Sequence, residues 1–218
     1  MEGSPANMTN ESRYAPFFRL LPGIPHTQEG HTPYFPLLVR RLLHWAQEKE
    51  LLGGMTDDEI DLAASLSVYH DIGKSMLRPT LLYKQRLSPQ EYDEIKLHTA
   101  WGEFLMDLAI PELRGTTIHR FACEICRYHH ERWDGSGYPD GLRGWEIPGY
   151  VQVIGLADAY DALVAPRSYK RPLSHQMASN MIVRGDCGAF YAPLLMVFTE
   201  HAPVIQSEVY ENFPGTQE

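Results

Sequence analysis

Two short runs mark where this chain must turn helical. Thr56-Asp57-Asp58-Glu59 and Ser88-Pro89-Gln90-Glu91 each set a hydroxyl residue three positions before a glutamate. In that pattern the side chains and main chain satisfy each other's otherwise orphaned amides at a helix start. Upstream, Leu38, Leu42, Leu43 and Ala46 recur at helical spacing between Thr32 and Leu52. The second box opens a helix that Pro111 stops, with Tyr92, Ile95, His98, Gly102 and Leu105 on one face. Further helices are predicted over Thr117–His130, Val151–Val164, His175–Val183 and Tyr191–Gln206, and the turn-rich Asp134–Gly144 is the one long loop inside the body. Strand alternation is nearly absent, so the predicted fold is all-α, a compact domain of about six to eight helices. Six of the sixteen prolines lie in the first 36 residues, so residues 1–29 read as an irregular N-terminal arm. Residues 30–206 then form the helical body and residues 207–218 a C-terminal tail.

Charge and cysteine content narrow the function classes. With 19 Lys plus Arg against 28 Asp plus Glu, the net charge is −9. That balance argues against a duplex nucleic-acid or anionic-membrane binder, since both need a basic footprint. Three cysteines, Cys123, Cys126 and Cys187, make no disulfide framework. The first residues lack the basic start and apolar core of a signal peptide, and the longest plain apolar stretch, Leu194–Phe198, falls far short of the ~20 residues a spanning helix needs. The expected home is the cytoplasm, and any anionic ligand needs a local positive site.

The unusual component is ten histidines. His70-Asp71 closes a predicted helix with Lys74 one turn on, His98 lies on the next helix, His129-His130 ends the one after, and Asp158 sits on an apolar helix. A mixture of imidazole and carboxylate donors suits Fe, Mn or Zn, whereas an all-oxygen set would suggest Mg or Ca. Six such donors exceed one tetrahedral site, and two ions roughly 3.5–4 Å apart would use them. Asp71 is the natural bridge, because a carboxylate has two oxygens and a neutral imidazole one free lone pair.

His70-Asp71-Ile72-Gly73-Lys74, His98 and the run His129-His130-Glu131-Arg132-Trp133-Asp134-Gly135-Ser136-Gly137-Tyr138-Pro139 resemble the signature of the HD-GYP family, HD-superfamily phosphodiesterases of the bacterial messenger cyclic di-GMP. The similarity continues through Ile147-Pro148, Ala157-Asp158-Ala159-Tyr160-Asp161 and Arg167-Ser168-Tyr169-Lys170, from about Gly30 to Ala202. The resemblance implies metal ligation by His70, Asp71, His98, His129, His130 and Asp158. It also implies a further ligand in His31, with His26 five residues before it as the alternative. Lys74 matches the lysine that contacts the scissile phosphate, Arg167 and Lys170 the basic pair that holds the substrate, and Tyr138 the segment that names the family. Thr27 stands where three-metal relatives carry a glutamate, which favours a binuclear centre, although Glu29 is nearby. Gln152 and Ser168 also depart from the pattern, without removing a ligand.

The remaining candidates have plainer readings. Cys123 and Cys126 fall in a helix with no second pair and read as packing. His44, His119, His175 and His201 read as surface or helix-terminal residues. Glu131 and Asp134 read as loop geometry, and Trp133 as the aromatic that holds the loop. Asp161 reads as a hydrogen-bonding partner of a metal-bound imidazole or a basic side chain. The expected activity is hydrolysis of cyclic di-GMP to the linear dinucleotide, with GMP as a second product, by attack of a metal-bridging hydroxide. Competing readings are a catalytically weak sensor module and a phosphohydrolase for another cyclic dinucleotide or nucleotide. Partner expectations are the cyclic dinucleotide and a homodimer or a docked signalling protein.

Overall fold

The computed structural model describes residues 34–84, 86–165 and 172–211. His26, Thr27, Glu29, His31, Arg167, Ser168 and Lys170 lie outside them. Among the described residues, eight helices of two turns or more carry the fold: α1 (Phe35–Glu48), α2 (Asp57–Leu66), α3 (Pro89–Lys96), α4 (His98–Ala109), α5 (Thr117–Tyr128), α6 (Gly149–Val164), α7 (His175–Val183) and α8 (Ala192–Ile205). Among the described residues there is no β-strand, only an isolated bridge between Asp134 and Arg143 that closes the loop, so the fold is all-α. No helix among them is long and apolar enough to cross a membrane.

Both predicted caps form. The Glu59 amide donates to Thr56 Oγ1 at 3.3 Å and the Thr56 amide returns to Glu59 Oε2 at 2.9 Å. Ser88 and Glu91 repeat the exchange at 3.3 and 2.9 Å. Helix α6 is apolar nearly all round, the signature of a helix buried on all sides. Thirteen of its sixteen residues are buried, from Tyr150 to Val164. It packs on α1, α5 and α7, while α1 presses Leu38, Leu42 and Ala46 into the same core.

The single helix expected between Ser88 and Pro111 is two. It breaks at Leu97, whose amide donates to Glu94 O at 3.2 Å, one residue short of the helical register, and α4 restarts when Trp101 N–H reaches Leu97 O at 2.9 Å. No proline or glycine marks the break. Side chains take the carbonyls there: His98 Nδ1 donates to Ile95 O at 2.7 Å and Thr99 Oγ1 to Lys96 O at 2.9 Å. At the C-terminal end the helical chain runs past Gln206 as a wider turn, Gln206–Glu211, in which Val209 is fully buried.

Candidate metal centre

Each histidine of the cluster is aimed by its own local turn. His70 follows a 3₁₀ turn, Ser67–Tyr69, and its Nδ1 donates to Ser67 O at 2.7 Å. His98 Nδ1 is held by Ile95 O, and His129 Nδ1 reaches Ile125 O and Cys126 O, last-turn carbonyls of α5, both at 3.0 Å. With the proton fixed on Nδ1, the Nε2 lone pair of each ring points inward, the tautomer a metal ligand requires.

Inward, the donors converge. His98 Nε2 lies 3.2 Å from Asp71 Oδ1 and 3.3 Å from His129 Nε2, and His129 Nε2 is 3.7 Å from Asp71 Oδ1. His70 Nε2 is 3.4 Å from Asp71 Oδ2 and 3.8 Å from Asp158 Oδ1, and His130 Nδ1 is 4.0 Å from Asp158 Oδ2. Asp71, His98, His129 and His130 form one group with metal-ligand spacing, and His70, His129 and Asp158 a second. All six residues proposed from the motifs therefore meet, and all but the part-exposed His130 are buried.

Electrostatics suit a cation. Burial, outweighing the attraction of Asp71, lowers the His129 pKa to about 4, and neighbouring imidazoles push the same way. Burial and the His129 and His98 rings hold His130 well below the usual imidazole range. These rings are neutral at physiological pH, with lone pairs available. Two buried carboxylates, Asp71 and Asp158, set among imidazole nitrogens make a donor set that a divalent ion fits.

Close backbone approach makes this convergence possible. A Cβ on Gly73 would sit 1.9 Å from His98 O and 2.4 Å from Gly102 N, and one on Gly155 would sit 2.5 Å from His129 O. Only glycine lets the turn after Asp71 lie against α4, and α6 against the end of α5.

The surrounding residues shape the opening. The Lys74 ammonium pairs with Asp71 Oδ2 and stays part-exposed. Tyr138 packs against His130 with ring centroids 4.7 Å apart. Glu131 is a clamp: its carboxylate accepts the amides of Asp140, Gly141 and Leu142 at 2.7, 3.0 and 3.0 Å, and so organises the loop. Asp134 accepts from Ser136 N–H and Oγ, and Trp133 stacks on Tyr191 at 4.4 Å. Gln152 donates to Ile147 O at 2.9 Å, a packing role.

Two residues at the centre escaped the sequence reading. Arg132 Nη1 donates to His129 O and Glu131 O, and its Nε to Cys187 O, stapling the His129-His130 turn to a segment 55 positions on. Lys96 Nζ lies 4.7 Å from the Tyr92 ring centroid and 5.8 Å from that of Tyr138, bringing a second ammonium to the rim. The sequence signal for Lys96 is its place two residues before His98, at the helix break.

The other singled-out residues lie elsewhere. Asp161 is fully buried and accepts from the Tyr210 hydroxyl at 2.7 Å, a partner beyond Gln206. His44 lies beside Asp57, His119 bonds Asp107, His175 bonds Tyr160 and His201 stacks on Trp45. Cys123 and Cys126 are free thiols. Burial drives the Cys123 thiol up to about 12 and the Cys126 thiol well above its usual value, so both are protonated packing residues.

Comparison with known proteins agrees with this arrangement. The family model described as "HD domain" matches residues 35–187. A "Probable cyclic di-GMP phosphodiesterase" of Vibrio cholerae is 37% identical over 75% of this chain and 36% of its own length. A "3'3'-cGAMP-specific phosphodiesterase 2" of the same organism is 31% identical over 75% of this chain and 30% of its own. A "Cyclic di-GMP phosphodiesterase" of Thermotoga maritima is 38% identical over 62% and 34%. The chain thus spans about a third of the length of these curated relatives. A solved HDG"Y"P protein of Bdellovibrio bacteriovorus shares the fold with a TM-score of 0.53, at 20% identity over 76% of this chain and 50% of that one. A matching domain model, a shared helical fold and the complete His70-Asp71 and His129-to-Pro139 motifs make one case: the chain belongs to the HD domain family, in its HD-GYP group.

Proposed function

We propose that this chain is a metal-dependent phosphodiesterase that opens cyclic di-GMP to the linear dinucleotide in the bacterial cytoplasm. The observation that carries the reading is the convergence of His70, Asp71, His98, His129, His130 and Asp158 in two donor groups, with three Nδ1 protons tied to main-chain carbonyls. His31 is the proposed further ligand. Iron or manganese suits the imidazole–carboxylate mixture, with zinc as the alternative.

Divalent ions held by His70, Asp71, His98, His129, His130 and Asp158 would supply a water of lowered pKa and positive charge for the phosphoryl oxygens. The chain supplies the rest. Lys74, already oriented by Asp71, offers its ammonium to an equatorial oxygen of the phosphate, where charge grows during attack. Arg167 and Lys170 are the proposed clamp on the other phosphate, fixing the line of approach. Tyr138 walls the opening over His130, and the Glu131-clamped loop keeps that wall in place. Protons on Nδ1 of His70, His98 and His129 stay bonded to carbonyls throughout, so the donor rings keep their orientation.

Relatives bear the names of enzymes for cyclic di-GMP and for 3'3'-cGAMP, and the metal donors do not read a base. The test is therefore turnover of cyclic di-GMP, 3'3'-cGAMP and the adenine dinucleotide, with metal content, on anaerobically purified protein loaded with Fe or Mn. Asp71→Asn is expected to abolish hydrolysis while leaving the helical circular dichroism intact. Near-normal turnover in that variant rejects the assignment. The linear dinucleotide is expected to accumulate, and GMP without a lag overturns that part.

A further inference from the structure

Helix α4 has two apolar faces. One is the core face, which carries His98, Gly102 and Met106. The other points to solvent: Leu97 at the helix start is 50% exposed, Trp101 38%, Phe104 51% and Leu108 62%. They are the large apolar side chains exposed on the segment, and the acidic Glu103 and Asp107, whose side chains are 38% and 41% exposed, lie beside them in ion pairs with Arg127 and Arg114. At about 100° per residue they fall within roughly 60° of one another, more than 100° from the direction of the core face. Trp101 and Phe104 touch edge to face, with ring centroids 6.0 Å apart. A continuous stripe of this kind, unlike scattered single residues, marks an interaction surface.

The spacing names the occupant. Leu97, Trp101, Phe104 and Leu108 are separated by four, three and four residues, the alternation that keeps a seam facing a partner helix in a coiled coil. The series is also palindromic. Laid antiparallel on a second copy of itself about a two-fold axis, Leu97 falls opposite Leu108 and Trp101 opposite Phe104, with no position left unmatched. An isologous interface requires this self-complementarity. At about 200 Å² for a large side chain, half-exposed on average, the stripe offers roughly 400 Å² per copy. Pairing then removes at most about 800 Å² from the stripe itself, short of the ~1,000 Å² a specific interface needs, so the flanking residues of the two helices must supply the remainder. The antiparallel arrangement also aligns the helix dipoles favourably.

We propose that α4 is a two-fold homodimer interface, in which the stripe from Leu97 to Leu108 packs antiparallel on the same stripe of a second copy. The inference is independent of the chemistry assigned to the metal centre. The interface buries no charged residue of the stripe and joins two chains of net charge −9, so the dimer tightens as salt screens their repulsion.

Sedimentation equilibrium on the full chain tests it. The weight-average mass should climb with concentration from 24.9 kDa toward twice that, at lower concentration in high salt. Trp101→Glu or Phe104→Glu should raise the dimer dissociation constant at least about tenfold, with helical content unchanged. The register is tested by Leu97→Cys combined with Leu108→Cys and a short bismaleimide. Peptide masses should show residue 97 of one chain joined to residue 108 of the other, and Leu97→Cys alone should join poorly to itself. A mass that stays at one chain at every concentration overturns the proposal. So does a dimer that Phe104→Glu leaves intact, or cross-linking dominated by 97 to 97.

Discussion

Replacing Gly73 by alanine sets two effects of opposite sign against each other. Gly73 lies in the 3₁₀ turn Ile72–Met76, and its backbone needs no left-handed conformation. Without a steric conflict, alanine would stabilise the fold by roughly 0.4–1 kcal/mol by restricting the unfolded chain. The conflict is severe. The new Cβ would lie 1.9 Å from His98 O and 2.4 Å from Gly102 N, both main-chain atoms that cannot rotate away. Restoring ordinary contact needs more than 1 Å of separation between the turn and α4. Overpacking of this kind costs roughly 1–3 kcal/mol, so after the entropic gain a net destabilisation of about 1–2 kcal/mol is expected. The same displacement moves His98 from its 3.2 Å approach to Asp71, beyond the roughly 0.5 Å tolerance of a preorganised site. Urea unfolding should show a lower midpoint with an unchanged slope, and metal content should fall. Gly102→Ala is the internal control: its Cβ would meet Cys126 Cβ at 3.0 Å and Sγ at 3.5 Å, contacts more than 1 Å longer than the 1.9 Å conflict at Gly73, so its loss should be well under half as large. Gly73→Ala protein as stable and as metal-rich as the parent would refute the reasoning.

Two further outcomes follow from the same geometry. Lys96→Ala removes the rim ammonium near Tyr138 without touching a donor, so KM for cyclic di-GMP should rise several-fold while kcat changes little, and Lys96→Arg should restore most of the loss. Metal-free protein should lose stability in acid: His129 is neutral in the fold down to about 4, whereas in the unfolded chain it takes up a proton near its ordinary value of ~6.5. Stability is thus full above pH ~6.5 and falls by about 3 kcal/mol as the pH drops to ~4, measurable by urea titrations across that range; a flat profile would contradict the burial of a neutral imidazole.

The helices were largely legible because their signals are local. The two capping boxes start α2 and α3 where the hydroxyl and glutamate residues stand, and α7 runs from His175 to Val183 as its periodicity indicates. The break at Leu97 was not, since it carries no proline or glycine. Tertiary contact accompanies it, with the Gly73 turn lying against the first turn of α4. The six residues that converge could be read from residue type and motif, because metal binding would restrict both. Their anchors could not: the acceptors for His70, His98 and His129 are main-chain carbonyls of Ser67, Ile95, Ile125 and Cys126, and a carbonyl leaves no mark on which residue bears it. Arg132 and the Asp161–Tyr210 contact span 55 and 49 positions, beyond the reach of periodicity, and no motif pairs these residues.

His129 belongs to both donor groups, yet a neutral imidazole has one lone pair to give. The groups are therefore rivals for a single atom. If the four-donor group takes it, the other is left with His70 and Asp158 and needs a further donor, such as the second oxygen of Asp71 or the proposed ligand His31. Filling one group changes the affinity of the other, and linkage makes the effect mutual. If both groups take an ion, a calorimetric titration of metal-free protein should resolve two unequal steps, and scarce metal would leave a half-filled centre, so that metal supply would act as a graded input.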